Sequence, residues 1–242
     1  MGRRRLHVLI TRPRAQATAL AGELEARGHT VLIEPLLTIE PIADVGLSLD
    51  GVQGVVLTSA NAVPALTAAA RHLPTFAVGT ATAAAARRAG CADVTEAEGD
   101  AASLAGLLAE RCRPGDGAFL HLSGAEIRGG LAERLADAGF ELRRHVVYRA
   151  VAAGALSPAA EDALTQRSID AVLLFSPRSA KILVQLLTKS GLATYMESTV
   201  AICLSRAVAE PCRMLRWQSV RVAERPEWRA LLERLDAAGG RC

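Results

Sequence analysis

Aromatic side chains are scarce: Phe, Trp and Tyr together make up 3% of the 242 residues. A chain so poor in stacking surfaces is not built as a base-stacking platform for nucleic acid. Its formal net charge of +3 is small and spread along the chain, and gives no more than a weak preference for an anionic small molecule. Long hydrophobic runs are missing too. No stretch reaches the roughly 18 consecutive apolar residues of a membrane-spanning helix, so no membrane partner is expected. The opening MGRRRLHVLITRPR is basic and then apolar, but the run at 6–10 meets Arg12 too early for an export signal and reads as a first core strand. The five cysteines, Cys91, Cys112, Cys203, Cys212 and Cys242, form no CxxC pair, and the five histidines show no HxxH spacing. No metal site is expected, and the cysteines read as small buried hydrophobes in a reducing cytoplasm. Neither a GxGxxG turn nor a Walker loop occurs, and Ser59 lacks the flanking glycines of a nucleophile elbow.

What the chain does have is one stretch that occurs twice. In GVVLTSANAVPAL, residues 54–66, a β-branched and aliphatic run passes through Thr58, Ser59 and Asn61 into apolar positions at helical spacing. Proline is tolerated in a first helical turn only, so Asn61 is the expected N-cap, which leaves Ser59 at the open strand end. More than a hundred residues later, DAVLLFSPRSAKILVQLL repeats the design at 170–187, with Ser176 in the place of Ser59 and Pro177 at the first helical position.

The opening unit VLITRPRAQATALAGELEARGHTV has its own counterpart in FLHLSGAEIRGGLAERLADAGFEL: strand, polar turn, helix, glycine, strand. Each is followed by an extended connector, EPLLTIEPI at 34–42 and RHVVYRAVA at 144–152, and then by its version of the organising stretch. FAVGTATAAAARRAG and the segment 199–235 continue the parallel. This order predicts a duplicated α/β chain with parallel sheets covered on both faces. Whether the halves pair in sequence or exchange segments is left open by the pattern alone. Ligands of open α/β sheets lie beyond the carboxyl ends of the strands.

Six polar turns stand at those ends: Thr11-Arg12, Ser59-Ala60-Asn61, Gly79-Thr80-Ala81-Thr82, Ser123-Gly124, Ser176-Pro177-Arg178-Ser179 and Ser205-Arg206. For any single turn, ordinary helix capping is the simpler account. Together they form a set of N–H donors and hydroxyls suited to a polyanionic small molecule. Arg12, Arg128, Arg178 and Arg206 lie in or just after the turns, where guanidinium groups serve carboxylates or solvent equally well. Tyr148, one of two tyrosines, falls on the second connector, where a phenol serves as packing or as a proton or hydrogen-bond donor.

Taken in order, VLITRP, PLLTIEP, VVLTSANAV, FAVGTATA, VVYRA, VLLFSPRSA and AERPEWRALLERL resemble the uroporphyrinogen-III synthase family nearly from end to end. The resemblance implies two similar α/β domains, duplicated and exchanged, joined by a two-stranded β-ladder with a cleft between them. Residues 1–37 with 151–242 would form one domain and 38–150 the other. It implies cyclisation of hydroxymethylbilane with loss of water and inversion of ring D, without cofactor or metal. Tyr148 would be the catalytic group. Thr11, Arg12, Ser59, Asn61, Gly79, Thr80, Thr82, Ser123, Gly124, Ser176, Arg178, Ser179 and Ser205 would bind the linear tetrapyrrole. A stand-alone cytoplasmic monomer is implied, taking its substrate from hydroxymethylbilane synthase. The sequence departs from the family pattern at Cys203-Leu204-Ser205-Arg206, where many relatives carry a glycine and threonines. The rival reading is a non-catalytic two-domain module that binds tetrapyrroles or other anions.

Overall fold

A computed structural model describes residues 4–43, 46–126 and 129–239. Arg128 and Cys242 therefore lie outside the described residues. The chain opens with β1 (His7–Ile10), α1 (Arg14–Ala26) and β2 (Thr30–Ile33). Then come β3 (Leu37–Pro41), β4 (Val52–Leu57), β5 (Thr75–Val78), α2 (Thr80–Arg88) and β6 (Val94–Ala97). The middle continues through α3 (Ala101–Arg111), β7 (Ala118–Gly124), α4 (Leu131–Asp137) and β8 (Leu142–Ala152). The last part holds α5 (Pro158–Thr165), β9 (Ala171–Leu174), α6 (Pro177–Lys189), β10 (Val200–Cys203), α7 (Arg206–Ala209), β11 (Ser219–Val222) and α8 (Trp228–Gly239). No helix among the described residues is long and apolar enough to cross a membrane.

Two compact units result. The first combines the chain up to Thr38 with everything from Val151 onward, and the second is Ile39–Ala150. In the first unit a parallel sheet runs in the order β11-β10-β9-β1-β2. Its inner strands β1, β9 and β10 are apolar without alternation because both faces are covered. Val8, Ile10, Ala171 and Leu173 pack on α1 and α8 through Leu20, Leu24, Leu231 and Leu235. Leu9, Val172 and Leu174 point the other way, onto Leu164 of α5 and Leu183 and Leu187 of α6. Successive residues on opposite faces are what the strand period dictates.

The second unit holds a sheet ordered β3-β8-β7-β4-β5-β6. Strands β4 to β8 pair in parallel. β3 meets β8 in the opposite sense, since Ile42 N–H bonds Val147 C=O while Ala153 N–H bonds Leu36 C=O. Both passages of the chain between units fall inside this ladder. The core on one face is aromatic: the Phe119 ring meets Phe76 edge-on at 5.7 Å and Phe140 at 5.5 Å. Gly54 makes that packing possible. A Cβ there would lie 3.0 Å from the Pro74 carbonyl oxygen, 3.1 Å from Phe76 and 3.2 Å from Phe119.

Several local expectations are corrected. The segment after β4 is a 3₁₀ turn, Ala60–Ala65, rather than an α-helix, and its cap is Ser59, not Asn61. Ser59 Oγ accepts the Asn61 N–H at 3.3 Å. Pro64 has no N–H to give, and the short turn ends at once. Ser123 and Gly124 are the last residues of β7 rather than a turn, and α4 begins only at Leu131. The helix after Ser205 is a single turn of four residues. Strand β6 and helix α5 are additions to the pattern read from the sequence.

Candidate active site

The end of β7 is built by its two neighbours. Register with β4 places His121 beside Val56 and Leu122 beside Leu57, which brings Thr58 to His121. Thr58 Oγ1 and His121 Nε2 are 3.1 Å apart. His121 is buried, and desolvation, helped by the Arg144 guanidinium, pushes its pKa down to about 4. The imidazole is therefore neutral near pH 7.

On the other side β7 pairs with β8 up to Ser123↔Val146, and the register then slips so that Gly124 pairs with Tyr148. Neighbours on a regular strand point to opposite faces, but a bulge breaks that rule. Val147 and Tyr148 consequently pack against the same apolar cluster. The slip turns the Tyr148 ring over Gly124, where a Cβ would stand 2.8 Å from two ring carbons and 3.0 Å from the phenol oxygen. Only glycine leaves that room. Arg144 then ties down the strand end: it donates to Ser123 Oγ at 2.8 Å, to Gly124 C=O at 2.8 Å and to Ala125 C=O at 3.0 Å.

Thr58, Ser59, Asn61, Ser123, Gly124 and Tyr148 line a single cleft of about 380 Å³ within this unit. Four predicted binding residues, Ser59, Asn61, Ser123 and Gly124, thus meet the predicted catalytic tyrosine. Gly79, Thr80 and Thr82 do not line it. They open α2, with Gly79 at the cap position and the Thr80 hydroxyl donating to Glu96 at 2.7 Å. Arg144 and His121 escape the sequence reading, since their roles depend on cross-strand register.

In the first unit the predicted residues follow three adjacent strands, β10, β9 and β1. Thr11 is fully buried and donates to Leu173 C=O at 2.8 Å, tying β1 to β9. Ser176 Oγ accepts from Ser179 N–H at 3.1 Å and lies 2.9 Å from Ser179 Oγ, so both hydroxyls serve the start of α6. Arg178 is the second residue of that helix. Ser205 caps α7 by accepting from Val208 N–H at 3.4 Å. Arg12 lies over Phe175, 4.7 Å from the ring centroid. No cluster of metal-ligating residues is found among the described residues.

Two doubly covered sheets, parallel except at β3, with hydroxyl-bearing strand ends and a phenol turned over one of them by a bulge, define a two-unit α/β protein. The family model for uroporphyrinogen-III synthase HemD matches residues 18–233, and the chain belongs to the uroporphyrinogen-III synthase family. Among solved structures it is similar to uroporphyrinogen-III synthetase from Helicobacter pylori, with a TM-score of 0.66, 18% identity, and coverage of 97% of this chain and 99% of that one. It is also similar to a mutant uroporphyrinogen III synthase from Thermus thermophilus, with a TM-score of 0.51, 20% identity, and coverage of 96% and 98%. At these identities the likeness is one of fold. No curated protein matches by sequence.

Proposed function

We propose that this chain is a cyclising lyase that converts hydroxymethylbilane to uroporphyrinogen III. The observation that carries the reading is the Tyr148 phenol, seated on Gly124 at the edge of a polar cleft in a chain of this family. The reaction needs a donor at the departing hydroxyl. Tyr148 hydrogen-bonds or protonates that oxygen, the C–O bond breaks, and water leaves. The electron pair of the adjacent pyrrole nitrogen stabilises the resulting cation. Ring D attacks through its substituted carbon, the spiro species fragments and recloses in the inverted sense, and the ring proton then lost returns to the Tyr148 oxygen as the aromatic pyrrole is restored. The net change is loss of one water, without oxidant or reductant.

The remaining contribution is conformational, because the chain must hold the tetrapyrrole in the reactive arrangement. The Ser59 hydroxyl proton and the Asn61 carboxamide, on the cleft lining, suit the carboxylate arms. The test is a coupled assay in which hydroxymethylbilane is generated in place by its deaminase and the oxidised porphyrin isomers are separated. Type III in proportion to the added chain supports the reading. Type I alone, the product of unassisted closure, would leave a binding module without turnover. Tyr148→Phe, which keeps the ring and loses the hydroxyl, is expected to lower the rate at least tenfold while the protein stays folded. An unchanged rate removes the tyrosine from the chemistry.

A further inference from the structure

Arginine supplies almost all of the positive charge of this chain: of 28 basic residues only two are lysines, Lys181 and Lys189. Both stand on α6, and both line the same cavity of about 830 Å³ in the first unit. One wall of that cavity is the row Lys181, Val184, Gln185, Thr188 and Lys189, which is the spacing of a single helical stripe. Leu183 and Leu187 dock the helix on the sheet, and the stripe stands outside that packing. The facing wall is the 3₁₀ turn Pro211–Met214 with Leu215. Between the lysines the groove is mainly apolar: the Thr188 hydroxyl is taken up by the Val184 carbonyl at 2.8 Å, and Met214 is 77% exposed at the lip. Among the described residues neither lysine has a hydrogen bond or an ion pair, while Glu210, the one acid of the lining, is held by Arg213 at 3.3 Å.

An apolar groove with an unpaired ammonium toward each end is complementary to an apolar surface bounded by carboxylates. The rise of an α-helix sets the two lysine positions about 12 Å apart, and acids roughly seven or eight places apart on a second helix match that span. We propose that this groove docks an amphipathic helix of a partner protein, with aliphatic side chains in the groove and one acidic residue against each of Lys181 and Lys189. Helix-in-groove recognition uses anchors of just this period. Met214 is the adaptable part, an unbranched thioether that repacks over side chains of different shape. Lysine suits the rim better than arginine. Its apolar stem extends the groove wall while its head stays in water, and a hydrated point charge pairs with a carboxylate without the fixed geometry of a guanidinium fork. The groove shares no lining residue with the cleft at Tyr148. Docking depends on the groove alone and not on the reaction proposed above.

The scarcity of lysine makes the test direct. Reductive methylation of the full chain with ¹³C-formaldehyde keeps the charges and gives a methyl signal for each lysine beside that of the terminal amine. Lys181→Arg and Lys189→Arg assign the two. The labelled chain is titrated with a synthetic helix of about 18 residues that carries central leucines and two glutamates at the matching spacing, and with the same peptide carrying glutamines in their place. The glutamate peptide should move both lysine signals to saturation, and the glutamine peptide should bind about tenfold more weakly at low salt. Met214→Glu, at an exposed site whose change leaves the fold intact, should weaken the glutamate peptide by about tenfold. The comparison of peptides needs no variant. No movement of either signal, equal binding of the two peptides, or undiminished binding to Met214→Glu overturns the proposal. Two other results overturn it as well. Signals that move with the chain's own concentration would make this face a contact between copies, and displacement of the peptide by an equal concentration of decanedioate would make the groove a site for a small amphiphile.

Discussion

Replacing Gly124 with alanine probes how Tyr148, the proposed donor, is aimed. The added Cβ would stand 2.8 Å from Cε2 and Cζ of Tyr148 and 3.0 Å from its oxygen, whereas carbon atoms rest at about 3.5–4.0 Å. The ring must therefore retreat by about 1 Å. Overpacking of this kind costs about 1–3 kcal/mol of stability, and a misplacement of about 1 Å at a reacting group can cost ~100-fold in rate. Gly54→Ala is the matched control. Its Cβ would be crowded at 3.0–3.2 Å by Pro74, Phe76 and Phe119, but in the aromatic core, and Gly54 does not line the cleft. Both variants should melt earlier, by about 2–4 °C per kcal/mol, while only Gly124→Ala should lose about 10- to 100-fold in type III formation per folded molecule. Chains grown with 3-fluorotyrosine give one ¹⁹F signal for each of the two tyrosines, and only Gly124→Ala should move that of Tyr148. If a folded Gly124→Ala chain keeps the parental rate, the seat beneath the ring is irrelevant to catalysis.

Arg144→Gln removes the donor shared by Ser123, Gly124 and Ala125 and should lower the rate several-fold. Because Arg144 also helps depress the His121 pKa, the variant should raise it, as read by imidazole NMR titration. An unmoved titration would show that the two groups do not interact. In the parent, His121 titrates near 4 when folded against 6.5 unfolded, so the unfolded chain binds the extra proton between those values. Its contribution to stability is full above about 6.5 and is lost as pH falls towards 4. At about 1.36 kcal/mol per pH unit, that window spans about 3 kcal/mol. Urea denaturation across pH 4–7 should show this slope, and His121→Gln should flatten it.

Sequence legibility follows the range of the interactions. The strand and helix at 170–187 are readable because everything that makes them is local: an aliphatic run for β9, Ser176 as cap, Pro177 at the first turn and leucines at helical spacing. Around Ser59 the same reasoning misplaces the cap. It treats proline as an α-helical first-turn residue, whereas the chain settles into a 3₁₀ turn that Ser59 closes. Ser123-Gly124 looks like a turn because serine and glycine favour turns. Pairing with β8 and the Arg144 clamp hold both residues in the strand instead. Tyr148 can be singled out as a rare residue on a connector. Its orientation cannot, because a one-residue slip against a strand more than twenty positions earlier leaves no local mark.

The sheet of the first unit sets an order of assembly. Its strand β1 lies between β2 and β9, and the His7 N–H is bound by the Asp170 carboxylate 163 residues further on. Until β9 has been made, the first strand has a neighbour on one side only. The second unit, by contrast, is one continuous segment whose strands find partners within it. During synthesis the inserted unit can condense first, and in doing so it draws the two ends of the interrupted unit together through the β3–β8 ladder. This shortens the loop that must close before β1 meets β9, and with it the entropic cost of closure. A lesion in the second unit's core would thus slow the maturation of both.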